Sequence, residues 1–517
     1  MIGACSSADA TFPPRLLNSD GAPTEPAASG SSGTGASSSG GVVEGPTAAG
    51  SSGVTPTGDP LIASIAALPH VKTVVEFVEP ADARRPQVPV GYRRFDVEFE
   101  QLADHAQPRI ASNTFSQRLS VLHKVSGTSA AVLSTSGYML SAYRSELTRL
   151  YGTNEICIEH RFFQKSTPGA DSSAPDWSLD TIAQSAADFH EITLAFKKLY
   201  PGKWVNTGAS KGGETVVYHR RFFPGDVDGT VAYVAPNVFG VEDPRFSPYI
   251  EQVGGAAFDD CRAKLRTFQR AMLQRRDELK AFTTGKFDRL GGYDVAIEHA
   301  AIEVPFAFFQ YGAPENDRYG CAAIPAADAT ADVLSAFLDQ VGALDGNYDD
   351  VSMQAFDPYY AQAALELGNY TVNLVPLSDL LHHAETYKTA TYVPGTFHLA
   401  FRPEPMHDVA TWVKSDATQM LFVYGEYDPW SAAAYEVPDG QDATRQIARI
   451  TVKGANHGAS LGWMDDTQRT RALALTNAWF GATPTPAAVH AQLRETRPLE
   501  SPRELRDRLH ARPGTRR

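Results

Sequence analysis

A serine flanked by glycines, Gly208-Ala209-Ser210-Lys211-Gly212, follows the apolar run Trp204–Asn206 and precedes a stretch of helical spacing. Strand, G-x-S-x-G and helix, in that order, lift a hydroxyl clear of the backbone on a sharp turn. The glycines let strand and helix approach each other, and the helix start aims N–H groups at the oxygen that gains charge in acyl transfer. The Lys211 backbone N–H is expected to donate there. A hydroxyl attacks only when a base takes its proton, and the base needs a carboxylate to orient its ring. Two downstream segments supply these. The apolar run from Met420 ends in Gly425-Glu426-Tyr427-Asp428-Pro429-Trp430, and Ile450-Thr451-Val452 leads into Gly454-Ala455-Asn456-His457-Gly458. Ser210, Asp428 and His457 thus stand in the chain order of sheet hydrolases, with acid and base on loops after late strands. Each also has a plainer reading. Asp-Pro commonly starts a turn, and loop histidines are usually surface residues. Glu426 competes with Asp428 from two residues away. Gly458-Ala459-Ser460-Leu461-Gly462 repeats the serine motif, but only Ser210 is followed at once by a helical stretch, with the acid and histidine after it.

Other chemistries find little support. No CxxC pair suggests zinc, His382-His383 lacks the spacing of H-E-x-x-H, and no Walker or dinucleotide fingerprint is present. Neither metal nor cofactor is expected. With 46 basic and 60 acidic side chains the net charge is −14, the wrong sign for a general nucleic-acid binder. No window approaches the ~18 consecutive apolar residues that a membrane-spanning helix needs.

The elements that must position the serine, acid and histidine alternate. Phe95–Phe99, Leu119–Lys124, Ala131–Ser134, Glu155–Ile158, Trp204–Asn206, Thr230–Val234, Met420–Tyr424 and Ile447–Val452 read as strands. Thr181–Tyr200, Gly212–Phe223 and Thr467–Phe480 read as helices. Strands alternating with helices predict a mostly parallel, doubly wound sheet. Residues 246–414 break the rhythm: one long amphipathic helix, roughly Asp259–Phe282, then Tyr/Pro-rich irregular segments. This is expected to be a helical cap inserted between the sheet segments 61–245 and 415–482. A basic tail, 483–517, holds eight arginines against four acids from Arg494 onward.

Residues 21–60 contain no Lys, Arg, aromatic, Leu, Ile or Met, so residues 1–60 should be a flexible tether with too little apolar surface to fold. Ile2-Gly3-Ala4-Cys5 looks like the lipobox at which a cysteine is lipidated. The short lead before Cys5 then implies a true start upstream of Met1; a cytosolic linker is the alternative. Lipidation of Cys5 would make the protein an exported lipoprotein whose membrane contact is that anchor alone. In an exported protein Cys261 and Cys321 are free to pair; two buried thiols are the other reading. Cys157, between Ile156 and Ile158, is expected to be a buried free thiol. Nothing in the sequence signals an oligomeric state.

Several runs together resemble the bacterial tripeptidyl aminopeptidases of the streptomycete mycelial type: Gly208–Gly213, Tyr218–Gly229, Val231–Asn237, Glu159-His160-Arg161-Phe162-Phe163, Asp176-Trp177, Tyr424-Gly425-x-x-Asp428-Pro429-Trp430 and Asn456-His457. The likeness spans roughly Val74 to Phe480, and it is similar in part to relatives of prolyl carboxypeptidase and dipeptidyl peptidase II. It implies an α/β-hydrolase fold with a helical cap, and a family triad on Ser210, Asp428 and His457. The implied activity is an exported serine exopeptidase, without cofactor, that releases tripeptides from free N-termini of short peptides, often after proline. An esterase or lipase, and a surface protein that has lost catalysis, are the competing functions. The Phe162 backbone is the expected second oxyanion donor. Glu159, Arg161 and Trp430 are the expected substrate-binding residues, Trp430 as a wall of a proline-sized pocket and Glu159 or a cap acid for the substrate ammonium. The family usually has Met after the twin glycines where this chain has Glu214, which is expected on the solvent side of the first helical turn.

Overall fold

The computed structural model describes residues 58–78, 88–140, 144–169, 175–342, 344–495 and 503. Nine strands form one sheet: β1 Val71–Glu76, β2 Tyr92–Leu102, β3 Thr114–Lys124, β4 Ala131–Thr135, β5 Asn154–Ile158, β6 Trp204–Ala209, β7 Gly229–Tyr233, β8 Met420–Gly425 and β9 Ile447–Val452. Their order is β1-β2-β3-β5-β4-β6-β7-β8-β9. β1, β2, β3 and β5 pair antiparallel in turn, whereas the six strands from β5 through β9 run parallel. β2 shows the alternating burial of a sheet with one covered face, and β4, β5, β7 and β8 are buried at every residue. This is the α/β-hydrolase fold predicted from sequence, with β1 as an unforeseen addition at the edge.

β4 bonds to β5 on one side and to β6 on the other. The chain leaves β4 in one direction and later returns past it in the other, which opens a crevice at the carboxyl ends of β4 and β6. Helix Lys211–Phe222 packs Val216 and Val217 beside Phe422 on one face. On the other face helix Asp466–Phe480 packs Leu475 and Trp479 against Val205 and Leu421.

Two domain boundaries move. Helix Glu404–Ser415 buries Met406, Val409 and Val413 against Val216, Val217 and Phe422, so it belongs to the sheet layers and the cap ends before it. Beyond 483, helix Pro486–Glu495 is docked: Gln492 accepts a 2.7 Å hydrogen bond from Arg149, and Val489 packs on the core. Cys5 and most of the basic tail lie outside the described residues.

The cap has its own apolar core, in which Leu265, Phe268 and Met272 meet Ile297, Val304, Phe308 and Phe337. The expected helix Asp259–Phe282 ends at Gln274, because Arg275 (φ −114°, ψ 24°) leaves helical geometry. The segment after it is not irregular. Tyr293–Tyr311 is a 19-residue helix that passes through Pro305. A proline has no N–H and pushes away the carbonyl four residues back. Here that carbonyl, Ala301, accepts a 2.8 Å hydrogen bond from the Gln269 side chain of the neighbouring helix, and the helix continues.

Cys261 and Cys321 form a disulfide that joins positions 60 residues apart within the cap; Cys157 is buried and in no disulfide. Replacing both disulfide cysteines by alanine is expected to cost about 2–5 kcal/mol, chiefly by freeing the unfolded chain. Urea unfolding with and without reductant checks this: the wild type should fall to the variant's midpoint on reduction, and the variant should not respond.

Candidate active site

Ser210 has φ 57° and ψ −129°, a conformation in which a side chain is strained. The surroundings impose it. Its N–H donates to the Tyr233 carbonyl at 3.0 Å, and its carbonyl accepts the Glu214 N–H at 3.0 Å. A Cβ on Gly208 would stand 2.2 Å from the Gly212 carbonyl oxygen, and one on Gly212 2.4 Å from that of Thr135. Neither glycine tolerates a side chain, which is what the motif requires of its flanks. Ser460, the competing serine, has ordinary extended geometry (φ −152°, ψ 167°) and does not line the cavity that Ser210 lines.

The acid and the histidine meet. His457 Nδ1 lies 2.8 Å from Asp428 Oδ2, and both residues are buried, 1% and 0% exposed. The second Asp428 oxygen accepts the Trp430 N–H at 3.2 Å, so the Asp-Pro turn and the imidazole share one carboxylate. Glu426 does not compete: it is exposed and accepts the Gly454 N–H. With Nδ1 bonded to Asp428 as donor, Nε2 is left as the acceptor, and it is buried with no hydrogen-bond partner among the described residues. The Ser210 hydroxyl is instead engaged with the Tyr138 hydroxyl. Tyr311 and Trp430, whose ring centroids lie 6.1 and 6.5 Å from that of the imidazole, line the same cavity as Ser210, so His457 stands behind the wall of the serine's cavity. The cap holds the histidine loop from the other side. The His457 N–H donates to the Gln310 carbonyl at 2.9 Å, and the Asn456 side chain to the Gly312 carbonyl at 2.6 Å.

Lys211 is the first residue of its helix, where an N–H has no intrahelical acceptor and points forward. Its side chain is buried and donates to the Gly137 carbonyl at 2.8 Å, bracing the loop after β4; burial pushes its ammonium down to about 8. Phe162 is not an oxyanion donor, since its N–H is already given to the Ser166 carbonyl at 2.7 Å. On the loop after β4, the Tyr138 hydroxyl reaches Ser210. Burial, with Tyr359 and Tyr311 nearby, holds the Tyr138 phenol far above its ordinary range, so it remains a donor. The loop after the strand beside the serine strand is where sheet hydrolases draw a second oxyanion donor, so Ser136-Gly137-Tyr138 after Ala131–Ser134 is a signal that the sequence reading passed over.

Glu159 and Arg161 are also corrected, because neither lines the cavity. Glu159 is fully buried and accepts from the Leu140 N–H and the Ser166 hydroxyl, at 3.0 and 2.8 Å. Arg161 is fully buried, forked onto Asp188 at 2.7 and 2.8 Å, and caps the carbonyls of Leu102, Ala103 and Leu179. Their charges tie the loop after β5 to the sheet. Glu214 has no solvent side to occupy: every residue from Lys211 to Arg220 is buried, and burial pushes the Glu214 carboxyl far up, with Lys211 in partial opposition.

Trp430 does line the cavity, which holds about 170 Å³. Its ring stands edge-on to Phe306 and Tyr370 and borders His457, with centroids at 5.4, 5.2 and 6.5 Å. The same cavity reaches Glu303 on the cap helix, a residue without a sequence signal of its own. Among the described residues, no cluster of His, Cys, Asp and Glu could hold a metal, and no helix is long and apolar enough to cross a membrane.

Comparison with known proteins points the same way. Residues 83–514 match the family described as PS-10 peptidase S37. The chain is 38% identical over 419 residues to a prolyl tri/tetrapeptidyl aminopeptidase of Streptomyces mobaraensis, covering 79% of this chain and 84% of that one. Among solved structures, feruloyl esterase B from Aspergillus oryzae aligns with TM-score 0.36 at 10% identity, covering 80% of this chain and 88% of that one. A proline iminopeptidase-related protein from Thermus thermophilus aligns with TM-score 0.32 at 12% identity, covering 74% and 98%. Likenesses that distant bear on neither substrate nor mechanism.

Proposed function

The chain belongs to the PS-10 peptidase S37 family, and from that premise we propose that it releases tripeptides from the free N-termini of short peptides, preferring proline before the cut, through an acyl-enzyme on Ser210. The observation that carries this reading is the buried Asp428–His457 pair, whose imidazole borders Tyr311 and Trp430 in the wall of the cavity that the strained, glycine-flanked Ser210 also lines.

His457 Nε2 takes the Ser210 proton as Oγ attacks the scissile carbonyl. The carbonyl oxygen becomes an oxyanion and is met by the Lys211 N–H and the Tyr138 hydroxyl, which leaves the serine once the serine has surrendered its proton. Asp428 holds the tautomer and stabilises the imidazolium. The imidazolium then protonates the departing amine. Water, deprotonated by the same nitrogen, hydrolyses the acyl-Ser210 ester and regenerates the hydroxyl. Trp430, Phe306 and Tyr370 offer a flat-walled slot beside His457 suited to a proline ring. Tyr138→Phe is expected to lower kcat by about 10²–10³, the cost of one oxyanion donor. It should leave KM within a few-fold, which steady-state kinetics on a tripeptide amide would read.

The Cys261–Cys321 disulfide favours an oxidising compartment, in keeping with export, and Cys5 would be the lipid anchor of an exported form. Mass spectrometry of natively expressed protein tests that part: an unlipidated cytosolic chain rejects it. The activity itself is tested with Ala-Ala-Pro-coumarin amide, the same amide blocked at its N-terminus, and a p-nitrophenyl ester. Turnover of the free amide well above the blocked one supports the exopeptidase. Ester-only turnover replaces it with an esterase.

A further inference from the structure

An exopeptidase must recognise an α-ammonium, and its site must measure the distance from that ammonium to the scissile bond. Among the ionisable groups lining the cavity, Glu242 and Lys388 are exposed to solvent. Glu303 is enclosed. Its two carboxyl oxygens are each taken by a phenol, Tyr370 at 2.6 Å and Tyr387. Tyr370 in turn stacks on Phe306 at 4.1 Å and abuts Trp430, so Glu303 is continuous with the aromatic slot beside His457. Among the described residues, what surrounds this carboxylate electrostatically is burial and the two phenols, not a cation. Burial raises it to about 7, with Tyr370 and Tyr387 acting in the opposite sense. Two neutral donors hold it in place and leave its charge uncompensated.

Position adds the second half. Glu303 sits on the same helix as Gln310, whose carbonyl binds the His457 N–H. Seven residues separate them (310 − 303). At about 1.5 Å per helical residue the carboxylate lies about 10 Å along the helix from the residue that anchors the base. An extended peptide rises about 3.3 Å per residue, so about 10 Å is the span of three residues from amine nitrogen to scissile carbonyl; two residues fall short by about 3 Å.

We propose that Glu303 binds the α-ammonium of the substrate, and that helix Tyr293–Tyr311 sets the length of the released fragment by fixing Glu303 relative to His457. This rests on the exopeptidase reading above and names the residue that would make it an exopeptidase. Tyr370 and Tyr387 are positioning residues: they aim the carboxylate and keep it from pairing elsewhere.

The test compares kcat/KM for Ala-Ala-Pro-coumarin amide with its des-amino analogue, in which the N-terminal amine is replaced by hydrogen, in wild type and in Glu303→Gln. The isosteric amide keeps the shape and removes the charge. Wild type should prefer the free amine about 100-fold, the scale of a hydrogen bond to a charged group, and the variant should shrink that ratio to within about 3-fold. The preference for tripeptidyl over dipeptidyl amide should shrink with it. A variant that retains the wild-type ratio overturns the role of Glu303 alone. A wild type with no preference for the free amine overturns the exopeptidase reading and this inference together. A crystal structure of the wild-type protein phosphonylated by an Ala-Ala-Pro diphenyl phosphonate decides the matter independently of how the variant folds. An ammonium within hydrogen-bonding distance of Glu303 supports the assignment, and an ammonium held elsewhere overturns it.

Discussion

Ser210→Ala is expected to lower turnover of Ala-Ala-Pro-coumarin amide by about 10⁶ and to abolish labelling by a fluorophosphonate probe. The size of the effect follows from the geometry. Ser210 Oγ is placed by a strained turn at the start of a buried helix, on a cavity whose wall residues Tyr311 and Trp430 border the His457 imidazole. Alanine at the same φ of 57° changes neither the turn nor the glycine contacts around it, so the melting temperature should move by no more than a few degrees and the loss is chemical. Ser460→Ala is the matched control. That serine repeats the local motif but has extended backbone and no place on the cavity, and its variant should label and turn over as wild type does. Persistent labelling of Ser210→Ala would move the nucleophile elsewhere and dismantle the mechanism.

Asp428→Asn is the second large effect, about 10⁴ in kcat with KM little changed. The carboxylate accepts the Nδ1 proton at 2.8 Å inside a pocket that excludes water. An asparagine can offer its NH₂ to Nδ1 instead, which transfers the ring proton to Nε2 and leaves that nitrogen unable to take another. The remaining oxygen still accepts from the Trp430 N–H, and a buried negative charge disappears, so folding is not the casualty. Fluorophosphonate labelling should slow in parallel with kcat, which distinguishes a disabled base from a disabled fold. Retention of activity within tenfold of wild type would mean that another group orients His457. Glu426, exposed and bonded to the Gly454 N–H, is badly placed to be it.

The glycine-flanked serine turn and the Asp428–His457 pair were legible because their signals are local. A strand, a glycine-flanked serine and a helix are written in consecutive residues, and strand-end acid and histidine follow in the order the fold uses. The sheet was legible for the same reason, since buried parallel strands are short apolar runs. What stayed hidden depended on partners distant in the chain. Glu159-His160-Arg161 is conspicuous as charge beside a strand, but the partner that occupies Arg161 is Asp188, 27 positions later, and no spacing announces it. Glu214 was misjudged because a helix with both faces covered has no solvent side, and cover comes from elements far away in sequence. Helix Tyr293–Tyr311 was missed outright. Apolar nearly all round, it lacks a 3.6-residue stripe, and Pro305 signals a break that Gln269 makes good from another helix. Glu303, carried on that element, could not be singled out before the helix itself was known.

The two hydrogen bonds that Gln310 and Gly312 accept from the histidine loop make the roof of the cavity part of the machinery beneath it. A roof that swung outward to admit a polypeptide would drag the general base out of register, so entry by wholesale opening and catalytic readiness exclude one another. Short peptides that need no such opening are therefore favoured over folded proteins. It also means that exchanging this roof for one from a relative, to redirect selectivity, would transplant half of the support for the imidazole along with it.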